Sequence, residues 1–239
     1  MMNDIPLSSI VFFDIETVPV TPSFDELPEN MQKLWDKKST YFRKEEETAG
    51  DVYQRAGIYA EFGKIVCISV GHISMKDDKR IFRCKSYYGD NEAQLLQHFA
   101  DMINQFCRSG EKYLCGHNSS EFDVPYVARR MLVNRIPLPD LFDLAGKKPW
   151  EVKHLDTMNL WKFGDYKHFT SLDLLTTIFG IPTPKDDIDG SQVAGVYYKD
   201  KDIKRIAAYC EKDVLAVAQL YLRFQYQNLI SSDNVEFSV

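Results

Sequence analysis

The sequence predicts a single α/β domain over residues 1–239, a central mixed five-stranded sheet flanked by helices. Three observations predict it. Short apolar runs rich in β-branched and aromatic residues crowd the chain before Asn91 and read as strands. After Asn91, segments with apolar residues at helical spacing alternate with further short strands, which is the α/β pattern. No internal repeat and no Gly/Ser-rich linker divides the chain.

The run 10–13 (IVFF) is a buried first strand that ends in Asp14-Ile15-Glu16-Thr17. Residues 19–63 read as an insertion after that strand, a candidate lid. Pro19, Pro22, Pro28 and Gly63 punctuate its ends, and its middle, 31–53, is charged and helical in character. Glu45-Glu46-Glu47 is a solvated face. The segments 64–73 and 80–87 are second and third strands around the polar turn 76–79. Asn91 is an N-cap, followed at helical spacing by Leu95, Leu96, Phe99, Met102, Ile103 and Phe106. Residues 113–115 form a fourth strand ending at Gly116, and 124–134 a helix. Residues 152–157 form a fifth strand, 171–179 a short helix, and 200–227 a long final helix.

Composition removes several classes. The chain is 44% apolar and 27% charged, as globular domains are, and no apolar run nears the ~18 residues of a membrane helix. The start MMNDIPLSSIVFF has neither a basic stretch nor a long apolar one, so no secretory signal is expected. The five cysteines are scattered without a CxxC, which argues against a zinc site or a disulfide framework and for reduced thiols in a cytoplasmic protein. A net charge of −6 argues against coating duplex DNA by charge alone. Divalent cations held on carboxylates would offset part of that charge and face a phosphate in place of lysines.

Three acidic elements carry the chemistry. Side chains alternate along a strand, so Asp14 and Glu16 share a face at the end of a buried strand. Two acids there are costly unless a cation or partner compensates them. Asn118-Ser119-Ser120-Glu121-Phe122-Asp123 follows the fourth strand, and Asp123 taken alone also suits a helix N-cap. Tyr209 and Asp213 stand four apart on the final helix and are neighbours on its surface. The apolar stripe 203, 206, 210, 214, 217 and 220 puts Asp213 at its buried edge and Glu211 and Lys212 on the solvent side. Hard divalent cations prefer such carboxylate oxygens, and two of them can activate a water and stabilise the leaving oxygen of a phosphodiester.

FDIET, NSSEFD and YCEKD together resemble the three motifs of the DEDD exonuclease superfamily, in the DEDDy form with tyrosine in the third. The final third, IFGIPTPKDDIDGSQV and IAAYCEKDVLAVAQLYLRF, resembles a stand-alone bacterial group related to the proofreading domain of family B DNA polymerases. The resemblance spans about residues 10–224. It implies a ribonuclease H-like fold and 3′-to-5′ exonuclease activity with two divalent cations, Mg²⁺ or Mn²⁺. By the same resemblance Asp14, Glu16 and Asp213 hold one cation, Asp14 also touches the second, and Asp123 reaches the second directly or through water. Tyr209 hydrogen-bonds the attacking water. Ile15 and Thr17 flank the 3′-terminal nucleotide, and Asn118 and Phe122 position the penultimate one. Asn118 also suits a plain turn.

Residues 147–169 interleave Lys147, Lys148, Lys153, Lys162 and Lys167 with Trp150, Trp161, Phe163, Tyr166 and Phe169. That composition suits a single-stranded nucleic acid, or an amphipathic segment with its rings packed inward. Asp156 is either a group supporting the acids or a plain cap. His117, His154 and His168 have no ligand spacing. The expected partner is the 3′ end of single-stranded DNA, with no membrane and no identified protein partner. Two other readings stay open: an exoribonuclease on the same site, because 2′-hydroxyl recognition depends on pocket geometry, and a non-catalytic nucleic-acid-binding module.

Overall fold

The first strand, β1 (Ile10–Pro19), is longer than its apolar run and is buried on both faces. Its side chains divide as period two demands. Val11, Phe13 and Ile15 enter one hydrophobic core, and Ile10 and Phe12 enter another on the opposite face. The computed structural model describes residues 5–165, 169–182 and 188–239. Tyr166, Lys167 and His168, and part of the IFGIPTPKDDIDGSQV stretch, lie outside them.

β1 pairs antiparallel with β2 (Gly63–Lys76), which turns tightly into β3 (Lys79–Tyr88). On its other side it runs parallel to β4 (Tyr113–Gly116), which pairs with β5 (Leu155–Asp156). The expected five-stranded sheet has six strands: β6 (Val235–Glu236) adds to the edge beside β3, giving the order β5-β4-β1-β2-β3-β6. Two residues near the terminus carry too little pattern to read as a strand. The fifth strand, expected over 152–157, shrinks to two residues, because Asp156 caps the helix that begins at once behind it. The fold is α/β and ribonuclease H-like.

Helices cover both faces. α1 (Glu29–Ser39) belongs to the insertion, while α2 (Glu92–Cys107) and α3 (Asp123–Val133) pack on the sheet on the side of Val11 and Phe13. The side chain of Asn91 accepts from the Gln94 amide at 3.1 Å and caps α2, a contact of about 1 kcal/mol. α4 (Thr157–Lys162), α5 (Leu172–Ile178) and the single turn α6 (Val193–Gly195) precede the long α7 (Ile203–Phe224). α7 crosses the opposite face, where Val214, Val217 and Tyr221 meet Ile10 and Phe12. Gly71 lets it approach: a Cβ there would lie 2.3 Å from the Phe82 ring and 3.0 Å from Val214.

Glu211 contradicts the helical-wheel reading. It is 1% exposed, and its Oε1 accepts from the hydroxyls of Ser86 (2.9 Å) and Ser238 (2.7 Å). The added strand at the C-terminal edge covers that side of α7, which the isolated helix pattern leaves to solvent.

Residues 20–62 build a small lobe around Trp35, Tyr53 and Phe62. Its helix is confined to α1; a 3₁₀ segment, Tyr53–Ile58, follows later. The lobe is tied to α3, where Tyr126 donates to the Gly57 carbonyl (2.8 Å) and Arg130 to the Ala60 carbonyl (2.8 Å). Arg130 also grips Glu92 of α2, both side chains being almost fully buried. Removing one member of such a pair strands a buried charge. Arg130→Ala should therefore cost about 3–5 kcal/mol in urea denaturation, whereas Lys33→Ala, which opens an exposed helix pair with Glu29, should leave the midpoint nearly unchanged.

Candidate active site

Asp14 and Glu16 follow Ile10 and Phe12 on the face of β1 that meets α7. The ladder to β2 keeps its register through Glu16 and shifts between Glu16 and Thr17, a bulge at the edge of the acidic pair. α7 brings Cys210 against Asp14, its thiol 3.5 Å from both the carbonyl and a carboxylate oxygen of that residue. Ligand atoms of Asp14, Glu16 and Cys210 lie within 4.8 Å of one another. Tyr209 and Asp213 flank Cys210, and the Tyr209 hydroxyl hydrogen-bonds Asp213.

Asp123 arrives from the other side of β1. It is the first residue of α3, and Phe122 holds the N-cap position. The capping alternative therefore gives way to a longer reach. β4 pairs with β1 only as far as Phe12. Beyond that point Asp123 Oδ1 accepts the amide of Ile15 at 3.2 Å. A buried strand amide would otherwise lack a partner, so this acid helps to close the edge of β1.

Electrostatics shows the acids as one group. Burial pushes the Asp14 carboxyl well above the ordinary carboxylate range, and Asp123 and Asp213 push it further. Glu16 is raised by burial, then by Asp14 and Asp213. Asp123 is pushed up to about 7, chiefly by burial, against the pull of its own amide and that of Ile15. Tyr209 is raised by burial, then by Asp213, Glu16 and Asp14, and holds its proton at neutral pH. Buried carboxylates raised by their own crowding form a hard oxygen donor set that suits a hard divalent cation.

The remaining expected residues divide. The Ile15 side chain is 5% exposed and packs in the core. Thr17 is half-buried and hydrogen-bonds Tyr126. Phe122 packs on Tyr126, ring centroids 5.4 Å apart. Asn118 holds a left-handed backbone at φ 62°, and its side-chain oxygen is buried without a hydrogen-bond partner. His117 is a structural histidine: its Nε2 donates to the Thr170 carbonyl (2.8 Å) and its Nδ1 lies 2.9 Å from the Thr157 hydroxyl. In the basic and aromatic stretch, Trp161 packs inward, stacked on Phe224. Trp150, Phe163 and Phe169 expose their rings, and Lys148 stands 5.2 Å from the Trp150 centroid. Cys210 was read only as a buried thiol; its place beside Tyr209 was the signal for its contact with Asp14.

A ribonuclease H-like sheet with acids gathered at the end of its first strand is consistent with a class, the exonuclease domains of that fold. Within it, the chain belongs to the family of predicted 3′-5′ exonucleases related to the exonuclease domain of PolB, whose sequence model spans residues 58–236. That span takes in Asp123, Tyr209 and Asp213 and begins after Asp14 and Glu16. No curated protein matches the chain. Among the described residues, no helix is long and apolar enough to cross a membrane.

Raised carboxyls bind protons more tightly in the folded than in the unfolded chain. Their stabilising contribution is complete below the unfolded value, about 4, and is lost as pH rises through the folded one, about 7 for Asp123. In chelator the melting temperature should fall across that window, less steeply in Asp123→Asn. Added Mn²⁺, which competes with protons for the same oxygens, should raise it more at pH 8 than at pH 5.5. Thermal melts with and without the ion check both signs.

Proposed function

We propose that this exonuclease removes nucleotides from the 3′ end of single-stranded DNA, releasing nucleoside monophosphates, with two divalent cations, Mg²⁺ or Mn²⁺. The observation that supports it is the meeting of Asp14, Glu16, Asp123 and Asp213 beside Tyr209, with Asp14, Glu16 and Tyr209 each perturbed by other acids of the group. A non-catalytic relic has no reason to keep four mutually repelling acids.

Asp14, Glu16 and Asp213 would hold one cation, and Asp14 and Asp123 the second. Cations bound there supply the positive charge that lowers the pKa of a water and stabilises the departing oxygen. Tyr209 holds and orients the attacking water. A phenol, with an ordinary pKa of about 10, suits orienting that water better than taking its proton. Asn118 and Phe122 position the penultimate nucleotide, and Ile15 and Thr17 frame the terminal one. The exposed rings of Trp150, Phe163 and Phe169 are sequence-tolerant surfaces on which unpaired bases stack. Stacking serves DNA and RNA alike, and it is the relationship to the PolB exonuclease domain that favours DNA.

A 5′-labelled single-stranded DNA, incubated with the protein and Mg²⁺ or Mn²⁺, should shorten as a ladder from its 3′ end. Chelator should stop it. Asp14→Ala and Asp213→Ala should each lower the rate by about a hundredfold or more. Tyr209→Phe should lower the single-turnover rate about ten- to hundredfold, the loss of one hydrogen bond to a charged centre. Full activity in Asp14→Ala would remove the cation assignment, and faster shortening of a matched RNA would reassign the substrate.

A further inference from the structure

Asp156 gathers more hydrogen bonds than any cap requires. It is 4% exposed and stands where β5 passes into α4. Its Oδ1 accepts the amides of Met158 (3.0 Å) and Asn159 (3.3 Å), which cap α4. The same oxygen accepts the amide of Asn118 (3.0 Å), and Oδ2 accepts both the amide (2.9 Å) and the hydroxyl (2.6 Å) of Ser120. Three of the five donors thus come from a loop nearly forty positions earlier in the chain. Thr157 continues the grip: its hydroxyl reaches the Gly116 carbonyl at 3.1 Å and lies beside His117.

The loop so held needs holding. It leaves β4 at Gly116, where a Cβ would lie 2.4 Å from that of Ser119, so the chain doubles back on itself. Asn118 then takes its left-handed turn, and the amides of Glu121 and Phe122 return to its carbonyl. The next residue is Asp123. A left-handed non-glycine residue stays so only where its surroundings over-determine it. The Asp156 carboxylate takes the amide of that residue and of the next but one.

We propose that Asp156 is a positioning residue for the active site: it fixes the 116–123 loop and through it places Asp123 and the side chain of Asn118. The role rests on the exonuclease reading of Asp14, Glu16, Asp123 and Asp213. It is separable from capping, because asparagine caps a helix as well as aspartate does. An amide with its oxygen at the Oδ1 position still accepts from Met158, Asn159 and Asn118. Its NH₂ then faces the amide of Ser120, donor against donor.

The test is Asp156→Asn, with Asn91→Ala as the control, a lost cap on α2 remote from the loop. Hydrogen exchange should show the Ser120 amide opening about tenfold faster in Asp156→Asn, the size expected for a lost charge-assisted bond, while the first amides of α4 keep their protection. Single-turnover cleavage at saturating substrate should fall about tenfold or more, and Asn91→Ala should melt earlier at full kcat. Unchanged exchange at Ser120, or unchanged kcat alongside faster exchange, overturns the positioning role. Exchange reads the anchor even in a protein that does not cleave, so a wild type without nuclease activity removes the exonuclease reading and, with it, the catalytic consequence.

Discussion

Crowding of buried negative charge at the end of β1 is the constraint on which the rest of this structure depends. Asp14 and Glu16 are pushed upward first by burial and then by neighbouring acids, and Asp123 chiefly by burial. A chain that brings such groups together gives up stability at neutral pH. The arrangement persists because the frame around it is over-determined. β1 is buried on both faces, α7 is fitted over Gly71, and α3 is locked to α2 by a buried ion pair.

The frame also explains why the acids share one side of the site. Alternation along β1 sends Phe12, Asp14 and Glu16 toward α7, where Phe12 packs edge-on against Tyr221. The same helix carries Asp213 about two turns earlier and Tyr209 about three. Packing at one end of the strand–helix contact therefore sets chemistry at the other. Asp123 comes from the opposite layer and crosses to β1 by taking the Ile15 amide. One carboxylate both completes the strand edge and joins the acidic group, which ties α3 to the strand that carries Asp14 and Glu16.

Much of this was legible in the sequence because it is local. Period-two alternation put Asp14 and Glu16 on one face, and a four-residue step put Tyr209 beside Asp213. Asn91 announced its helix with a cap. What escaped was decided by long-range packing. Glu211 looked solvent-facing on its own helix, and its contact with Ser86 of β3, together with the return of Ser238, buries it. The 31–53 segment is charged enough for helix throughout, yet the lobe packs its rings around Trp35 and ends α1 at Ser39. Asp156 carried two readings, and the loop hydrogen bonds unite them. Trp161 and Trp150 were indistinguishable by composition; contact with Phe224 turns one inward.

The way this chain treats its buried acids separates structural from chemical ones. Glu92 receives the Arg130 guanidinium, the Ile65 amide and the Asn134 side chain. Glu211 receives serine hydroxyls, and Asp156 a ring of amides. Each is answered by donors that satisfy its oxygens within the fold. Asp14 receives a weak thiol donor, and the charges that bear on it most strongly are other acids. Burying a carboxylate without a counter-charge is costly enough that neutral protonation, or a cation from outside, must answer it. A lysine in place of Cys210 would satisfy Asp14 and stabilise the fold. It would also occupy the place of the cation and leave no oxygens to offer it. The oxygens that the fold leaves to Asp14 are thus in keeping with the divalent cations proposed for this site.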